Sequence, residues 1–155
     1  MGITVTMKIH GVREMLAAFR QLPKDATKEL REKNRAISRG LAGKIKAAAF
    51  AAPRQGPAVA PSVRAVSDRI PNVQAGGPRR AGHQRRRSSG QLPTTAGDLV
   101  FGANFGGTVL KQFPPHNGGA GGDDYFFFKT VEREMPHIES EWVEVAESVL
   151  RKWAT

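Results

Sequence analysis

Histidines and adjacent carboxylates are the side chains of this sequence best suited to metal or acid–base chemistry. The chain has four histidines, namely His10, His83, His116 and His137. Their positions match neither HExxH nor a comparable ligand spacing. Asp123-Asp124 could form a metal or acid–base pair, but carboxylates in a glycine-rich segment are typical of solvated turns. The absence of cysteine excludes thiolate nucleophiles and cysteine-ligated metals.

A glycine-rich segment near the C-terminal third is the one candidate for a P-loop. Gly118-Gly-Ala-Gly-Gly122 lacks the lysine and the Ser/Thr of a P-loop, so the sequence favours a flexible loop at about 114–124. We therefore predict no catalytic, cofactor-binding or metal-binding residues, no cofactor and no enzyme activity.

A cluster of arginines is the most pronounced charge feature. It comprises Arg79, Arg80, Arg85, Arg86 and Arg87, with no acid among them. The surrounding segment, about 76–97, has almost no apolar residue and cannot offset its ordering entropy by burial. We predict an irregular basic arm that orders on docking, with phosphates or acidic protein surfaces as the chemistry it would attract.

Charge is distributed unevenly along the chain. Of the net +10, residues 1–52 carry +7, 53–97 carry +7 and 98–155 carry −4. Opposite patches on identical subunits attract one another head to tail, although a well-solvated surface of mixed sign is the simpler interpretation. The length of 155 residues suits one domain, 1–155. No apolar run could span a bilayer and no signal-peptide pattern is present, so we expect a soluble, intracellular protein.

An aromatic run, Tyr125, Phe126, Phe127 and Phe128, suggests a strand at 125–129. Rings on both faces of a strand need two covering layers, so we predict that they lie in the core or at an inter-subunit interface. A base-stacking platform is the alternative, but no basic residue interleaves the rings.

Hydrophobic periodicity predicts the remaining elements. We expect strands at 3–9, 98–105 and 108–113, the last two as a hairpin, with shorter strand-like runs at 62–70 and 72–77. We expect helices at 12–19, at 24–52 and after Pro136. Gly40 and Gly43 in the second helix indicate either close packing or a bend.

The C-terminal helix shows the clearest amphipathic pattern. Its apolar face consists of Ile138, Trp142, Val145, Val149 and Trp153. We assign these residues, like the aromatic run, to the core or to an inter-subunit interface. The predicted fold class is α+β, with a small, mostly antiparallel sheet packed against the long helix of the N-terminal half and this C-terminal helix, and with a long basic irregular arm.

The order of these segments resembles the neck or tail-completion proteins of long, non-contractile-tailed bacteriophages, the lambda Z-like minor head–tail joining proteins. The matching segments are KIHGVREMLAAFRQLPKD, the alanine-rich stretch that closes on Pro53, DLVFGANFGG, and YFFFKTVE leading into PHIESEW. Many members have a Thr-Gly-Arg-like segment after the proline and an acid within the segment equivalent to FGANFGG. Ser62-Val63-Arg64 and Asn104 stand in those places here, and the arm is longer and more basic.

The resemblance implies a non-enzymatic structural protein of the virion neck, assembled in the host cytoplasm as a ring of six around the DNA channel. Its implied partners are its own copies, the tail terminator and the head-closure protein. The arm would dock on a neighbouring subunit or partner ring, with genomic DNA in the channel as a second, non-sequence-specific target. The alternatives are a tail terminator ring and a basic, non-sequence-specific nucleic-acid-binding protein.

Overall fold

Two long helices packed together dominate the fold of this computed structural model, which describes residues 2–6, 11–52, 56–78, 95–105 and 126–154. The elements are β1 (Gly2–Thr6), α1 (Val12–Arg20), α2 (Lys24–Ala51), α3 (Gly56–Val59), a 3-10 turn (Ala60–Ser62), β2 (Arg64–Val66), β3 (Asn72–Gly76), α4 (Ala96–Phe105) and α5 (Phe127–Trp153). The predicted α+β class is confirmed in this mostly helical form. None of the described helices is long and apolar enough to cross a membrane.

The sheet is small and antiparallel, as predicted, and β3 is its central strand. β1 pairs with one edge of β3, where Val5 faces Val73, and β2 pairs with the other, where Ala65 faces Val73. Val73 and Ala75 of β3 are buried. The alternation of apolar and polar residues thus correctly indicated β1, although 7–9 of the predicted strand lie outside the described residues.

The long basic helix predicted at 24–52 is confirmed as α2. Its core side chains follow the helical repeat and include Leu30, Ile37, Leu41 and Ile45. Neither Gly40 nor Gly43 is needed for close packing within the described chain, because a Cβ atom at either position would have no neighbour within 4 Å. The helix continues through both glycines.

The segment 98–105, predicted as a strand, is instead part of α4. Thr95 and Asp98 form a reciprocal cap at its start: the Thr95 amide and hydroxyl both donate to Asp98 Oδ2 at 2.9 Å, and the Asp98 amide donates to Thr95 Oγ1 at 3.3 Å. Leu99, Val100 and Ala103 are buried at helical spacing. The predicted hairpin therefore loses its first strand, and its second, 108–113, lies outside the described residues.

The strand predicted at 125–129 and the helix start predicted after Pro136 are also wrong, because α5 already begins at Phe127. Asn104 at the end of α4 determines this start. Its Oδ1 accepts hydrogen bonds from the amides of Phe126 at 3.3 Å and Phe127 at 2.8 Å, two groups that otherwise lack partners at a helix N-terminus. Tertiary capping and burial of Phe127 and Val131 thus override the strand propensity of the aromatic run.

The backbone carbonyl of Arg69 joins three parts of the fold. It lies in the loop between β2 and β3 and accepts hydrogen bonds from Asn34 Nδ2 of α2 at 2.6 Å and from Trp142 Nε1 of α5 at 3.1 Å. The backbone N–H of Asn72, at the start of β3, donates to Ser38 Oγ of α2 at 3.0 Å. These bonds hold the sheet in register against the helix pair.

We expect Trp142→Phe to lower the free energy of unfolding by about 1–3 kcal/mol, because it removes a buried hydrogen bond and leaves a small cavity. Trp153→Phe is the matched control, since Trp153 is only partly buried and its Nε1 donates at the surface to Glu29. It should cost less than about 1 kcal/mol. Urea denaturation followed by far-ultraviolet circular dichroism measures both. Equal losses would contradict the importance of the Arg69 contact.

We expect Pro136→Ala to raise the free energy of unfolding by about 1–3 kcal/mol, because proline inside a helix cannot donate to the carbonyl of residue i−4, here Glu132. Pro136 is exposed, so no packing should be lost. Ser140→Ala, one turn later at another exposed position, controls for the general effect of alanine on helix propensity. A decrease in the free energy of unfolding for Pro136→Ala would show that α5 needs proline at this position.

Candidate functional site

The described residues contain no group of three or more His, Asp or Glu side chains that could hold a metal ion. His137 lies exposed on α5, where its Nε2 is 3.6 Å from Glu141 Oε2 one turn later. The other three histidines and Asp123-Asp124 lie outside the described residues, as do residues 114–124 of the glycine-rich loop.

A cleft of about 230 Å³ separates α2 from α5 near their middle. It is lined by Ile37, Gly40, Leu41, Lys44, Glu134, His137, Ile138 and Glu141. Lys44 Nζ is 2.6 Å from Glu134 Oε2, and this hydrogen bond holds the pKa of Glu134 below its ordinary value. The cleft thus presents a cation and a carboxylate that already neutralise one another, with no hydroxyl or thiol among these lining residues.

A second polar cluster fixes the C-terminal end of α5 on the first turns of α2. Glu29 accepts hydrogen bonds from Trp153 Nε1 at 2.8 Å and from Lys152 Nζ at 3.1 Å, and Lys33 Nζ lies 3.6 Å away. The bond from Trp153, followed by that from Lys152, holds the pKa of Glu29 below its ordinary value. The cluster is an attachment between helices that depends on the ionised carboxylate.

The aromatic and C-terminal residues singled out in the sequence lie mainly inside this chain. The fully or almost fully buried ones are Phe126, Phe127, Ile138, Trp142 and Val149. Phe128, Val145 and Trp153 are partly buried and pack against the core, while Tyr125 lies outside the described residues. The five arginines of the predicted arm, Arg79, Arg80, Arg85, Arg86 and Arg87, also lie outside them.

Sequence reasoning missed a one-sided row of basic residues on α2, which we name the basic flank. It consists of Lys24, Lys28, Arg31, Arg35, Arg39 and Lys46. The spacings of four, three, four, four and seven place all six on one side of a helix that turns by about 100° per residue. This spacing was present in the sequence and could have identified the row.

Five of these six side chains are exposed and Lys46 is partly buried. The helical rotation puts Glu29 well outside this side of the helix, whereas Asp25 and Glu32 lie along its edge, three or four positions from Lys28 and Arg35. The basic flank is therefore a predominantly positive surface, bordered on one edge by two carboxylates.

The C-terminal helix carries the opposite charge in its middle. Residues 134–147 of α5, which we name the acidic stretch, contain Glu134, Glu139, Glu141, Glu144 and Glu147 and no lysine or arginine. The α2 residues that bond to α5, Glu29 and Lys44, lie on the side of α2 opposite the basic flank. Folding therefore separates the positive surface from the negative one.

Comparison of the chain with known protein families, with curated proteins and with solved structures found no match. The described residues provide two helix surfaces of opposite charge, two polar attachments between helices and one hydrophobic core. Such surfaces act by binding charged partners.

We expect Glu29→Gln to lower the unfolding temperature at pH 7, and the gap to the wild type to close in acid. A lowered pKa in the folded state stabilises the protein above the ordinary value of 4.5, and this contribution is lost as the pH falls through the folded-state value. Thermal unfolding of both proteins across this range measures the gap. Glu32→Gln, at an exposed carboxylate of the same helix, is the control. A gap independent of pH would contradict the role of the charge.

Proposed function

We propose that this chain is a structural subunit of the neck of a long, non-contractile-tailed bacteriophage, forming a ring that joins the head to the tail around the DNA channel. The observation that carries the proposal is the order of sequence segments: a strand, a short helix, a long basic helix ending in an alanine-rich stretch at Pro53, an arginine-rich arm and an acidic terminal helix. That order resembles the head–tail joining proteins.

Asn104 departs from the pattern of the resembling proteins in a way that is compatible with the proposal. It stands where the resembling proteins often have an acid, and its Oδ1 caps α5 by accepting bonds from the amides of Phe126 and Phe127. A carboxylate oxygen can accept the same two bonds and also interacts favourably with the positive end of a helix. An asparagine and an acid could therefore form the same cap at this position.

Charge distribution supports assembly from identical subunits. In this proposal the chain is one α+β domain, and its arm at about 76–97 orders when its arginines dock on the acidic stretch of a neighbouring subunit or on a partner ring. A contact between two different patches of the same protein generates a ring when the rotation closes. The copy number implied by the resemblance is six, with the tail terminator and the head-closure protein bound on opposite sides.

The same proposal assigns no reaction to the protein. Binding of the two partner rings and the passage of DNA through the channel would be its whole activity, with its site of action at the head–tail junction of the virion. Its stability in the particle would come from the interfaces between subunits, since proteins that bind only the folded state stabilise it by mass action.

We expect Arg85→Gln, Arg86→Gln and Arg87→Gln together to leave thermal stability unchanged and to weaken head–tail joining roughly tenfold, because three charged contacts would be lost at an interface. Joining is measured by in vitro complementation of tails and heads, and ring formation by sedimentation velocity. The control is an exposed triple variant of equal charge change, with Arg13→Gln, Arg20→Gln and Arg151→Gln.

The assignment to the neck fails if the wild-type protein remains monomeric and binds neither tails nor the tail terminator. A map of the assembled particle at subunit resolution then distinguishes the two rings. Density for this chain between the portal side and the terminator supports the proposal, whereas density at the last ring of the tail tube would make the chain the terminator itself.

A further inference from the structure

The basic flank is a charged surface that forms no ion pair within the described chain. Its residues run from Lys24 to Lys46 along one continuous helix, a length of about 33 Å at 1.5 Å per residue. Among the described residues, no carboxylate lies within ion-pair distance of any of its six side chains. None of the six side chains is thus held in an ion pair within the described chain.

On the other side of the same helix, two lysines have structural roles. Lys33 pairs with Glu29 of its own helix, and Lys44 pairs with Glu134 of α5. The acids beside the flank, Asp25 and Glu32, form no ion pair with it among the described residues. Asp68 lies in the loop that Asn34 holds. Its carboxylate accepts a hydrogen bond from the Arg69 amide at 2.7 Å. The positive charge of the flank therefore has no structural explanation in the described chain.

The composition of the flank indicates what it binds. Its exposed positions are all lysine or arginine, whereas the centres of protein interfaces are depleted of charge and rich in aromatic anchors. A single strand of nucleic acid would require a series of aromatic side chains for base stacking, whereas one exposed aromatic of the described chain, Phe50, lies one turn beyond Lys46. A regular row of cations with one aromatic at its end matches a regular row of phosphates, as on a duplex.

We propose that the basic flank of α2 binds the phosphate backbone of duplex nucleic acid without reading its sequence. Its length of about 33 Å equals roughly one turn of a B-form duplex. Phosphate contacts by lysine and arginine position a protein on the duplex but carry no sequence information. This inference does not rest on the proposed neck function, since it follows from the charge and geometry of one helix.

A second copy of the chain fits the flank less well. The carboxylates of the acidic stretch point around α5 rather than along one side: Glu139, Glu141 and Glu144 differ from one another by about 60–160° of helical rotation. Glu134 and Glu141 also already face Lys44 and His137. A straight row of cations has no matching row of anions on α5.

The test measures binding of the full-length protein to a fluorescent duplex of about 30 base pairs as a function of salt concentration. The flank variant replaces Arg31, Arg35 and Arg39 with glutamine, which keeps helix propensity and removes three charges. The control variant replaces exposed arginines elsewhere, namely Arg13, Arg20 and Arg151. Both lower the net charge from +10 to +7, by three charges each.

We expect the flank variant to bind at least tenfold more weakly at about 0.1 M salt, and its slope of log affinity against log salt to fall by about 3, or about 1 per lost phosphate contact. The control variant should keep an affinity within about threefold of the wild type. Replacing the same three arginines with lysine should restore binding, since lysine also contacts phosphate as a point charge. Two duplexes of unrelated sequence should bind equally.

Four results would overturn the proposal. The flank variant could bind like the wild type, or the control could lose as much affinity, so that only total charge matters. An arm variant with Arg85, Arg86 and Arg87 replaced by glutamine could remove all duplex binding while the flank variant removes none. Polyglutamate of equal charge could compete as well as the duplex, which would identify an acidic protein as the partner.

Circular dichroism establishes that each variant is folded before binding is compared. If the triple variant does not fold, the single variants Arg35→Gln and Arg151→Gln provide the same comparison, with an expected slope change of about 1 for the first alone. Failure of head–tail joining with intact duplex binding would reject the neck assignment and leave this inference standing, so the two are tested separately.

Discussion

The position of the sheet on the helix pair depends on one backbone oxygen. The carbonyl of Arg69 has two lone pairs, and it uses them for Asn34 of α2 and Trp142 of α5. Both donors are buried, and loss of the acceptor would leave Trp142 Nε1 without a partner in the core and Asn34 Nδ2 with only the Asp68 carbonyl at 3.2 Å. Ser38 Oγ accepts a hydrogen bond from the backbone N–H of Asn72. The start of β3 is therefore held at a fixed position along α2. The loop between β2 and β3 is therefore a structural joint.

The polar and charged residues of α2 have different roles on the different sides of the helix. The side next to α5 carries Glu29 and Lys44, which bond across to that helix. The side next to the sheet carries Asn34 and Ser38, which bond to backbone groups. The basic flank mostly faces solvent, so its side chains can bind a partner without breaking an ion pair within the described chain.

The sequence predicted the elements whose pattern is local. It failed where a residue far away in the sequence determines the structure. The period of α2 and the alternation in β1 identified both elements, since burial of one side needs only the right repeat. Two segments were assigned to strands because of their aromatic and β-branched residues. The Thr95-x-x-Asp98 pattern could have identified the first of these segments as a helix, α4. The start of α5 depends instead on Asn104, which lies 22 residues before Phe126.

The candidate site divides in the same way. The spacing of the basic flank can be read directly from the sequence, but its lack of partners becomes visible only when α5 is seen to lie on the opposite side of α2. The separation of the two charged surfaces gives the described chain an electric dipole across its helix pair. A protein with such a dipole turns in the field of a polyanion before contact, which raises the rate of productive encounters at low ionic strength. The speed of assembly, and not only its strength, should therefore respond to salt.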